Sequence, residues 1–515
     1  MWGFSPTVEV VRENALPMWF ATTSEVDRWG KESWCSIESE NIECELQEDR
    51  GTSATKVALK IACSQGIPCD NIEVSDINLT YKGAKEGGAA ISECSNVKPK
   101  VIEPTSIQMG KAICCLLLIA MVFRSHAVVV DIKARGAKGD GKTDDGPVIK
   151  KAWKEACAGG PSPSSVLIPP GTYMAYPPIL FSGPCKGPVE IKANGATIKT
   201  PPELARLKSD SWIAFQHIDR LSVIGGTFDG QGHEAWKNQK CADTALSCQM
   251  PVNLRFSFVK NSLLKGITSV NSKYFHMVIF ACDNINIEHA TIDTPGNSLN
   301  TDGIHIGHTN GLNITNSNIK SGDDCISIGD GSKNVHIEKL TCGPGHGISI
   351  GSLGKYANEQ PVQGIWIKNC TITGTIISGV RIKSWPGPTS TLGTATDIHF
   401  EDIIMNNVEN PILIDQQYCP SNRCNKASPS KVKISNVCFK KIRGTSATKV
   451  AVKMDCSQGL PCENVEVSDI HLTYNGARGG GAGAISECSY VKPKVMAKIS
   501  LRLVLDIASV IYTVE

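Results

Sequence analysis

Three aspartates and one histidine recur at nearly constant spacing in the middle of the chain. Asp302, the adjacent pair Asp323 and Asp324, and His346 each stand just before a short apolar string, and the intervals from Asp302 to Asp323 and from Asp323 to His346 are 21 and 23 residues. Carboxyl groups held close together repel one another unless one of them stays protonated. A protonated carboxyl beside an ionised one is the pair that acid–base cleavage of a glycosidic bond requires. We therefore predict a hydrolytic site at these residues.

Two cations extend this pattern. Arg381 and Lys383 stand two residues apart in the string VRIK, which places both on the same face of a strand. Two cations suit a substrate that carries carboxylates, whereas a neutral sugar would not need them. Simpler alternatives stay open, because Asp–Gly pairs are common in ordinary turns, His346 between glycines could bond a backbone carbonyl, and the two cations could form a solvated face. A calcium site built from the aspartate oxygens is a further alternative.

Short strings that recur along the chain predict how these residues meet. IHIG, ISIG, ISIG and VRIK begin at residues 304, 326, 348 and 380. A coil of about 22 residues with Gly, Asn and Asp turns is typical of a parallel β-helix, whereas a β-sandwich gives no reason for near-identical strings once per coil. Adjacent coils lie about 4.8 Å apart, so the predicted site residues should converge. Asp323 and Asp324 can share one site only if the chain bends before the strand, and Gly322 permits that bend.

One amphipathic helix is predicted ahead of the strands. The segment TDDGPVIKKAWKEACAGG spans residues 143–160, with Thr143 or Asp144 as a possible cap and a glycine pair as the stop. Such a helix can cover the open end of a β-helix, where unpaired strand edges would otherwise invite aggregation. The apolar positions at helical spacing are Val148, Ile149, Ala152, Trp153 and Ala156.

Composition narrows the class of protein. The 515 residues carry a net charge of only +2, which argues against electrostatic binding of nucleic acid. Aromatic residues make up 6 %, while there are 47 glycines and 21 cysteines, a balance that favours a turn-rich β protein in an oxidising compartment. The cysteines are scattered and not paired as CxxC, so a zinc site is not expected.

The cysteines and two sequons predict covalent features. Fourteen cysteines fall between residues 128 and 495, an even number consistent with disulfides. Cys325 with Cys342 is one candidate pair in stacked coils, and Cys456 with Cys462 would close a small loop. N-glycosylation sequons stand at Asn313 and Asn369, the second being weaker because Cys370 intervenes.

A duplication suggests how the chain is organised. GTSATKV occurs at residues 51–57 and again at 444–450, and the likeness extends over 51–101 and 444–495. Two copies at opposite ends are not a repeat architecture, which shows many copies at periods of roughly 20–50 residues. We interpret residues 1–108 as a segment fused in the gene model, in which 51–101 are the tail of an upstream tandem copy and 1–50 match neither neighbour. Residues 128–495 are interpreted as the working enzyme. Residues 496–515 form a tail of unknown role.

A secretory signal pattern lies between the copies. Residues 109–127, MGKAICCLLLIAMVFRSHA, combine a lysine, an apolar run and a small-x-small exit. The apolar run is shorter than the roughly 20 residues that a membrane span needs. A signal peptide belongs at a start, so this pattern also favours a mature protein that begins near residue 128.

At this point the motifs match a family. NTDGIHI, GDDCISIG, GHGISIGSLG and RIK, in this order and spacing, strongly resemble the signature motifs of the polygalacturonases of glycoside hydrolase family 28. The resemblance covers roughly residues 129–495 and includes GGTFDGQG at 225–232. It implies an all-β, right-handed parallel β-helix of the pectin lyase-like type, with the short N-terminal capping helix, and cleavage of α-1,4-galacturonosyl linkages with inversion and without a metal or cofactor.

The resemblance also implies a role for each site residue. Asp323 would be the general acid, while Asp302 and Asp324 would activate water. His346 would support the protonation of the acid. The residues that would bind galacturonate are Arg381, Lys383 and Tyr418.

Longer strings point to a subgroup. GSLGKYANEQPV, IKSWPG, LIDQQYCP and GTSATKVAVK are similar to the exo-acting polygalacturonases of plant pollen, which release galacturonic acid from the non-reducing end. An endo-acting enzyme, a calcium-dependent lyase and a catalytically silent wall protein or allergen are the alternatives. The predicted partner is polygalacturonate, and neither nucleic acid nor a membrane anchor in the mature form is expected. We expect a monomer that is secreted to the cell wall.

Overall fold

The computed structural model describes residues 128–496, apart from 204–208, 238–249, 388–392, 423, 426–427 and 477–481. It also gives the backbone of ten short strands between residues 9 and 101, and of one at 502–505. The signal-like segment at 109–127 lies outside the described residues. The chain divides into two units, Met1–Phe123 and Arg124–Glu515.

The first unit contains strands that pair in the same register as the strands of the second copy, residues 444–495. Its strands are β1 (Glu9–Val10), β2 (Cys35–Glu38), β3 (Asn41–Gln47), β4 (Arg50–Ser53), β5 (Val57–Ala62), β6 (Ile72–Ser75), β7 (Asn78–Tyr81), β8 (Gly88–Ala89), β9 (Ile91–Ser95) and β10 (Lys100–Val101). Thr52 pairs with Thr80 in parallel, just as Thr445 pairs with Thr473 in the second copy. The duplicated sequence therefore carries a duplicated strand register.

The second unit is built almost entirely of short strands. They are β11 (Val128–Asp131), β12 (Asp140–Asp144), β13 (Ser164–Leu167), β14 (Gly171–Met174), β15 (Ile179–Ser182), β16 (Val189–Lys192), β17 (Ala196–Lys199), β18 (Ser211–Gln216), β19 (Leu221–Ile224), β20 (Thr227–Asp229), β21 (Val252–Ser257), β22 (Lys260–Lys265), β23 (Thr268–Val270), β24 (Met277–Phe280), β25 (Asp283–Glu288), β26 (Thr291–Asp293) and β27 (Ile304–Gly307). They continue as β28 (Asn310–Lys320), β29 (Ile326–Ile328), β30 (Lys333–Cys342), β31 (Ile348–Leu353), β32 (Val362–Thr373), β33 (Val380–Ser384), β34 (Gly393–Val408), β35 (Ile412–Asp415), β36 (Val432–Ser446), β37 (Val450–Asp455), β38 (Glu463–Ser468), β39 (His471–Tyr474), β40 (Ala482–Gly483), β41 (Ile485–Ser489), β42 (Lys494–Val495) and β43 (Arg502–Leu505).

These strands form a right-handed parallel β-helix, as the sequence predicts. Twelve of them, from β15 to β43, make one parallel sheet, which we call the site sheet, and a sheet of 21 strands makes the other walls. Ile304, Ile326 and Ile348 are direct neighbours in the site sheet and are completely buried. The recurring strings therefore mark successive coils, and their alternate apolar residues fill the interior between the walls.

The predicted helix covers the first coils. It is α1 (Gly146–Cys157), and a second short helix, α2 (His233–Lys237), follows later. Ile149, Ala152, Trp153 and Ala156 are buried, and α1 packs on β11, β13 and β15. Its N-cap is Asp145, not Thr143 or Asp144. The Asp145 side chain does not bond the helix and instead accepts hydrogen bonds from the backbone N–H groups of residues 138 and 139, so it fastens the preceding loop.

Disulfides join neighbouring parts of the coil. Both predicted pairs, Cys325–Cys342 and Cys456–Cys462, are present. Two more pairs occur among the described cysteines, namely Cys157–Cys185 and Cys419–Cys424. The described cysteines that carry no disulfide are Cys282, Cys370, Cys438 and Cys488. In the described part of the chain, neither helix is long and apolar enough to cross a membrane.

Candidate active site

Strand register places the predicted site residues side by side. Because Ile304, Ile326 and Ile348 are paired, the positions two residues before them also stack, and these positions hold Asp302, Asp324 and His346. The backbone confirms this register, since the N–H of residue 303 donates to the carbonyl oxygen of Asp324 at 2.9 Å. Asp323, from which the sequence intervals to Asp302 and His346 are counted, stands one position earlier in its coil than Asp324.

A bend ahead of β29 brings both adjacent aspartates to the site. The backbone N–H of Asp324 donates to Oδ1 of Asp323 at 2.8 Å, so the pair forms its own local turn. Gly322 allows the bend for a different reason from the expected one. It does not adopt a left-handed φ, but a Cβ at this position would lie 1.9 Å from the carbonyl oxygen of Ser298. A close approach of two backbone segments therefore requires the glycine.

Asp324 is the carboxylate held by cations. Its Oδ1 accepts hydrogen bonds from Ser349 Oγ and from Arg381 Nη2, both at 2.8 Å. Its Oδ2 accepts one from Lys383 Nζ at 2.7 Å. Burial alone would raise the pKa of this carboxyl, but the charges of Lys383 and Arg381 and the hydrogen bonds lower it to about 2. Asp324 is therefore ionised at neutral and mildly acidic pH.

Asp302 has the opposite protonation behaviour. Burial raises the pKa of its carboxyl well above the ordinary range, and the negative charges of Asp323 and Asp324 raise it further. A hydrogen bond from Ser327 Oγ to Asp302 Oδ2, at 2.8 Å, and the more distant Lys383 oppose this shift. The pKa values of two neighbouring carboxyls are thus pushed apart, as acid–base chemistry requires. The raised pKa falls on Asp302, while the general acid that the resemblance implies is Asp323.

Asp323 is the aspartate with direct access from solvent. A quarter of its side chain is exposed, compared with 2 % for Asp324. Its Oδ1 lies 2.9 Å from Nδ1 of His346, which is itself mostly buried. One ligating atom from each of Asp323, Asp324 and His346 lies within 4.8 Å of the others. Convergence of the four residues on one patch is therefore a feature of the structure.

The predicted carboxylate binders lie in the same patch. Arg381 and Lys383 are 3 % and 6 % exposed, and both contact Asp324. They are not the solvated face that the sequence left as an alternative. Tyr418 packs beside them, with its ring centre 5.2 Å from Lys383 Nζ and 5.8 Å from the Arg381 guanidinium.

Three site residues are not predicted from the sequence, namely His305, Ser327 and Ser349. They pair along the site sheet in one row that continues to Arg381. Ser327 and Ser349 donate to Asp302 and Asp324 respectively, and His305 Nδ1 lies 2.8 Å from Ser327 Oγ. The signal was present, because these are the second residues of the recurring strings IHIG, ISIG, ISIG and VRIK.

Two further groups around the site have shifted pKa values. Burial lowers the pKa of His305 to about 4, and the positive charge of Lys383 adds to this, so the imidazole is neutral at neutral pH. Burial raises the pKa of Tyr274 to about 12, with additional contributions from the charges of Asp302 and Asp323. Tyr274 therefore keeps its phenolic proton beside the acidic cluster.

A β-helix that groups carboxyls in one patch is an arrangement that glycoside hydrolases can use. The sequence profile of glycosyl hydrolases family 28 matches residues 30–113 and 157–499, and the chain belongs to this family. The resemblance seen in the motifs is thereby confirmed, and the chain is a glycoside hydrolase.

Individual relatives agree with this placement. The chain is 51 % identical over 387 residues to a polygalacturonase of Gossypium barbadense, covering 75 % of this chain and 93 % of the relative. It is 52 % identical over 373 residues to an exopolygalacturonase of Arabidopsis thaliana, covering 72 % and 82 %. Among solved structures, the endo-xylogalacturonan hydrolase of Aspergillus tubingensis matches with a TM-score of 0.59 at 22 % identity, covering 71 % of this chain and 96 % of that one. At that identity the likeness concerns the fold.

Proposed function

We propose that this chain hydrolyses the α-1,4-galacturonosyl linkages of polygalacturonate, the acidic backbone of pectin. The observation that carries this proposal is one patch where the carboxyls of three aspartates and the ring of His346 meet two buried cations. Carboxyls grouped in this way suit the acid–base cleavage of a glycosidic bond. Cations suit a substrate that bears a carboxylate on every sugar. The polygalacturonase names of the plant relatives point to the same substrate.

Asp323 is the proposed general acid. It is the most exposed of the three aspartates, so the leaving oxygen of a sugar chain can reach it. His346 holds one of its oxygens at 2.9 Å and is the proposed positioning residue for its proton. Proton transfer to the leaving oxygen needs a donor within hydrogen-bond reach, which this arrangement can supply.

Asp302 and Asp324 are the proposed pair that activates water. Asp324, with a pKa of about 2, is a weak base and serves mainly as a fixed negative charge that orients water. Asp302 has the raised pKa, so its ionised form is the stronger proton acceptor. One oxygen of Asp323 and one of Asp324 lie within 4.8 Å of each other.

Arg381, Lys383 and Tyr418 form the proposed binding wall for galacturonate. The two cations already neutralise Asp324, and their remaining N–H groups can donate hydrogen bonds to the carboxylate of a bound sugar. This arrangement also argues against a calcium ion at the aspartates, because both oxygens of Asp324 are occupied by donors from cationic side chains. Hydrolysis without a metal is therefore proposed.

The proposed mode of action is exo, with release of galacturonic acid from the non-reducing end. The exopolygalacturonase of Arabidopsis thaliana, at 52 % identity, supports this mode over the endo alternative. We further propose that residues 128–495 carry the activity, that the chain acts as a monomer in the cell wall after secretion, and that residues 51–101 are an additional copy of the terminal coil.

Product analysis tests the proposal directly. The protein is incubated with polygalacturonate, and the products are sized by chromatography while proton NMR follows the anomer that forms first. Galacturonic acid alone, released with inversion, is the expected result, and Asp323→Asn should lose most activity. A ladder of oligomers would instead mean endo action.

The same assay separates the rival functions. Activity that disappears with a chelator and gives unsaturated products would mean a calcium-dependent lyase. An inert protein that is nevertheless folded, as judged by its circular dichroism and cooperative unfolding, would mean a catalytically silent wall protein.

A further inference from the structure

A cavity of about 420 Å³ lies away from the candidate active site. It opens on the 21-stranded sheet and is lined from β25, β28, β30 and β32, whereas the candidate catalytic residues belong to the site sheet. Its size falls within the roughly 300–1,000 Å³ of small-molecule and cofactor sites. None of the proposed catalytic or substrate-binding residues lines it.

The cavity wall contains one of the two sequons. Asn313, Ile314 and Thr315 form the sequence Asn-Ile-Thr within β28. Ile314 is completely buried, so Asn313 and Thr315 share the opposite, outer face, and both line the cavity. The two residues that a glycosyl acceptor site needs therefore stand together at a ready-made depression.

Aromatic rings continue the row in which Asn313 stands. Strand pairing places His336 beside Asn313, Trp366 beside His336, and His399 beside Trp366. The rings of His336 and Trp366 are parallel within 7°, with centres 6.5 Å apart, and Trp366 stacks on His399 at 3.6 Å. Aromatic surfaces pack against the apolar side of flat ligands, and the stack on His399 fixes the orientation of the indole.

A parallel row supplies polar partners. Thr315 pairs with Glu338, and Glu338 pairs with Lys368. The carboxylate of Glu338 and the ammonium of Lys368 are 3.6 Å apart and are both partly exposed. An aromatic row beside a row of hydrogen-bonding groups suits a sugar, which has apolar C–H surfaces and a rim of hydroxyls.

We propose that Asn313 is an N-glycosylation site and that the first N-acetylglucosamine of its glycan lies in this cavity, against His336 and Trp366. Asn313 Nδ2 donates a hydrogen bond to Asn286 Oδ1 at 2.9 Å, and the glycosylated amide keeps one N–H for a bond of this kind. Asn369 offers a contrast, because its side chain is exposed and does not line the cavity.

The modification balances as a glycosyl transfer. The amide nitrogen of Asn313 attacks C1 of an oligosaccharide carried on a lipid diphosphate in the secretory pathway. The C1–O bond to the phosphate breaks as the N–C1 bond forms, the lipid diphosphate leaves, and the amide nitrogen loses one proton to a base. No oxidant or reductant is involved, and the transfer takes place before β28 is buried in the coil.

The test uses the full chain secreted from a eukaryotic host behind an added leader. Peptide mass spectrometry should find Asn313 occupied, and Thr315→Val, which leaves Asn313 itself intact, should remove that glycan. In an Asn369→Gln background, the rate at which peptide N-glycosidase releases the Asn313 glycan from folded protein is then compared between the parent and Trp366→Leu. The variant should lose its glycan about three- to tenfold faster, which is the range of one aromatic stacking contact.

Two results would overturn the proposal. An unmodified Asn313 in secreted, disulfide-bonded protein would show that it is not a glycosylation site. Equal release rates in the parent and in Trp366→Leu would show that the first sugar does not lie in the cavity. If Trp366→Leu does not fold, His336→Ala replaces it with the same expected acceleration. Glycoside hydrolase activity of Thr315→Val should match that of the parent, because the cavity and the catalytic patch lie on different sheets.

Discussion

Lys383 should make a large, pH-dependent contribution to stability. Its ammonium lies 2.7 Å from Oδ2 of Asp324, and the two side chains are 7 % and 2 % exposed. Lys383→Met leaves the carboxylate buried with Arg381 as its remaining cationic partner. Removing one member of a buried ion pair is costly because the other charge stays behind without full compensation.

The lowered pKa of Asp324 gives the size of the effect. A carboxyl whose pKa is about 2 in the folded protein, against about 3.9 when unfolded, contributes roughly 2–3 kcal/mol at neutral pH. This contribution is fully present above the unfolded pKa and is lost as the pH falls through about 2. If the variant loses the whole shift, it should be less stable by roughly 2–3 kcal/mol at pH 7 and by about half of that at pH 3.

Denaturant unfolding at both pH values measures this difference. Lys433→Met is the matched control, because Lys433 forms an ion pair of 2.9 Å with Glu463, but the two side chains are 45 % and 62 % exposed. An exposed pair is worth about 0–1 kcal/mol. The reasoning fails if Lys383→Met costs no more than the control, or if its cost is the same at pH 3 as at pH 7.

Three further outcomes follow from the site and its coils. Asp302→Asn should abolish activity yet raise the free energy of unfolding at neutral pH. The raised pKa of Asp302 means that its protonated form stabilises the fold below the unfolded pKa, and that this stabilisation is lost as the pH rises through the folded pKa. A variant that is less stable than the parent in urea at pH 7 would contradict this. Gly322→Ala should cost about 1–3 kcal/mol, since its Cβ would meet a carbonyl oxygen at 1.9 Å, whereas Gly483→Ala, with open space, should cost much less in the same assay. Replacing Cys325 and Cys342 by serine should lower stability by about 3 kcal/mol for a loop of this length, and an unchanged thermal midpoint would refute that estimate.

The sequence predicted the fold because its strings report strand register directly. IHIG and the two ISIG strings share apolar first and third residues, and those isoleucines fill the coil interior at successive levels. Once the coils are stacked, residues just before the strings must become neighbours. The proximity of Asp302, Asp324 and His346 can therefore be predicted from the sequence.

The charge state of the site could not be read in the same way. Asp302 and Asp323 look alike in sequence, but the raised pKa of Asp302 depends on how deeply its carboxyl is buried. The contact of Arg381 and Lys383 with Asp324 spans more than fifty residues and depends on side-chain length and direction. Ser327 and Ser349 were hidden for another reason, since serine in a strand is usually without a special role.

The coils differ in length, but their strands in the site sheet stay in register. From Ile304 the next paired positions are 326, 348, 380 and 412, so the third and fourth coils are ten residues longer than the first two, while the strands stay in register. The pitch between neighbouring strands, and not the length of the connecting loop, sets the distance between groups on adjacent levels. The connecting loops can therefore differ in length between relatives while the carboxyls of the site sheet keep their spacing.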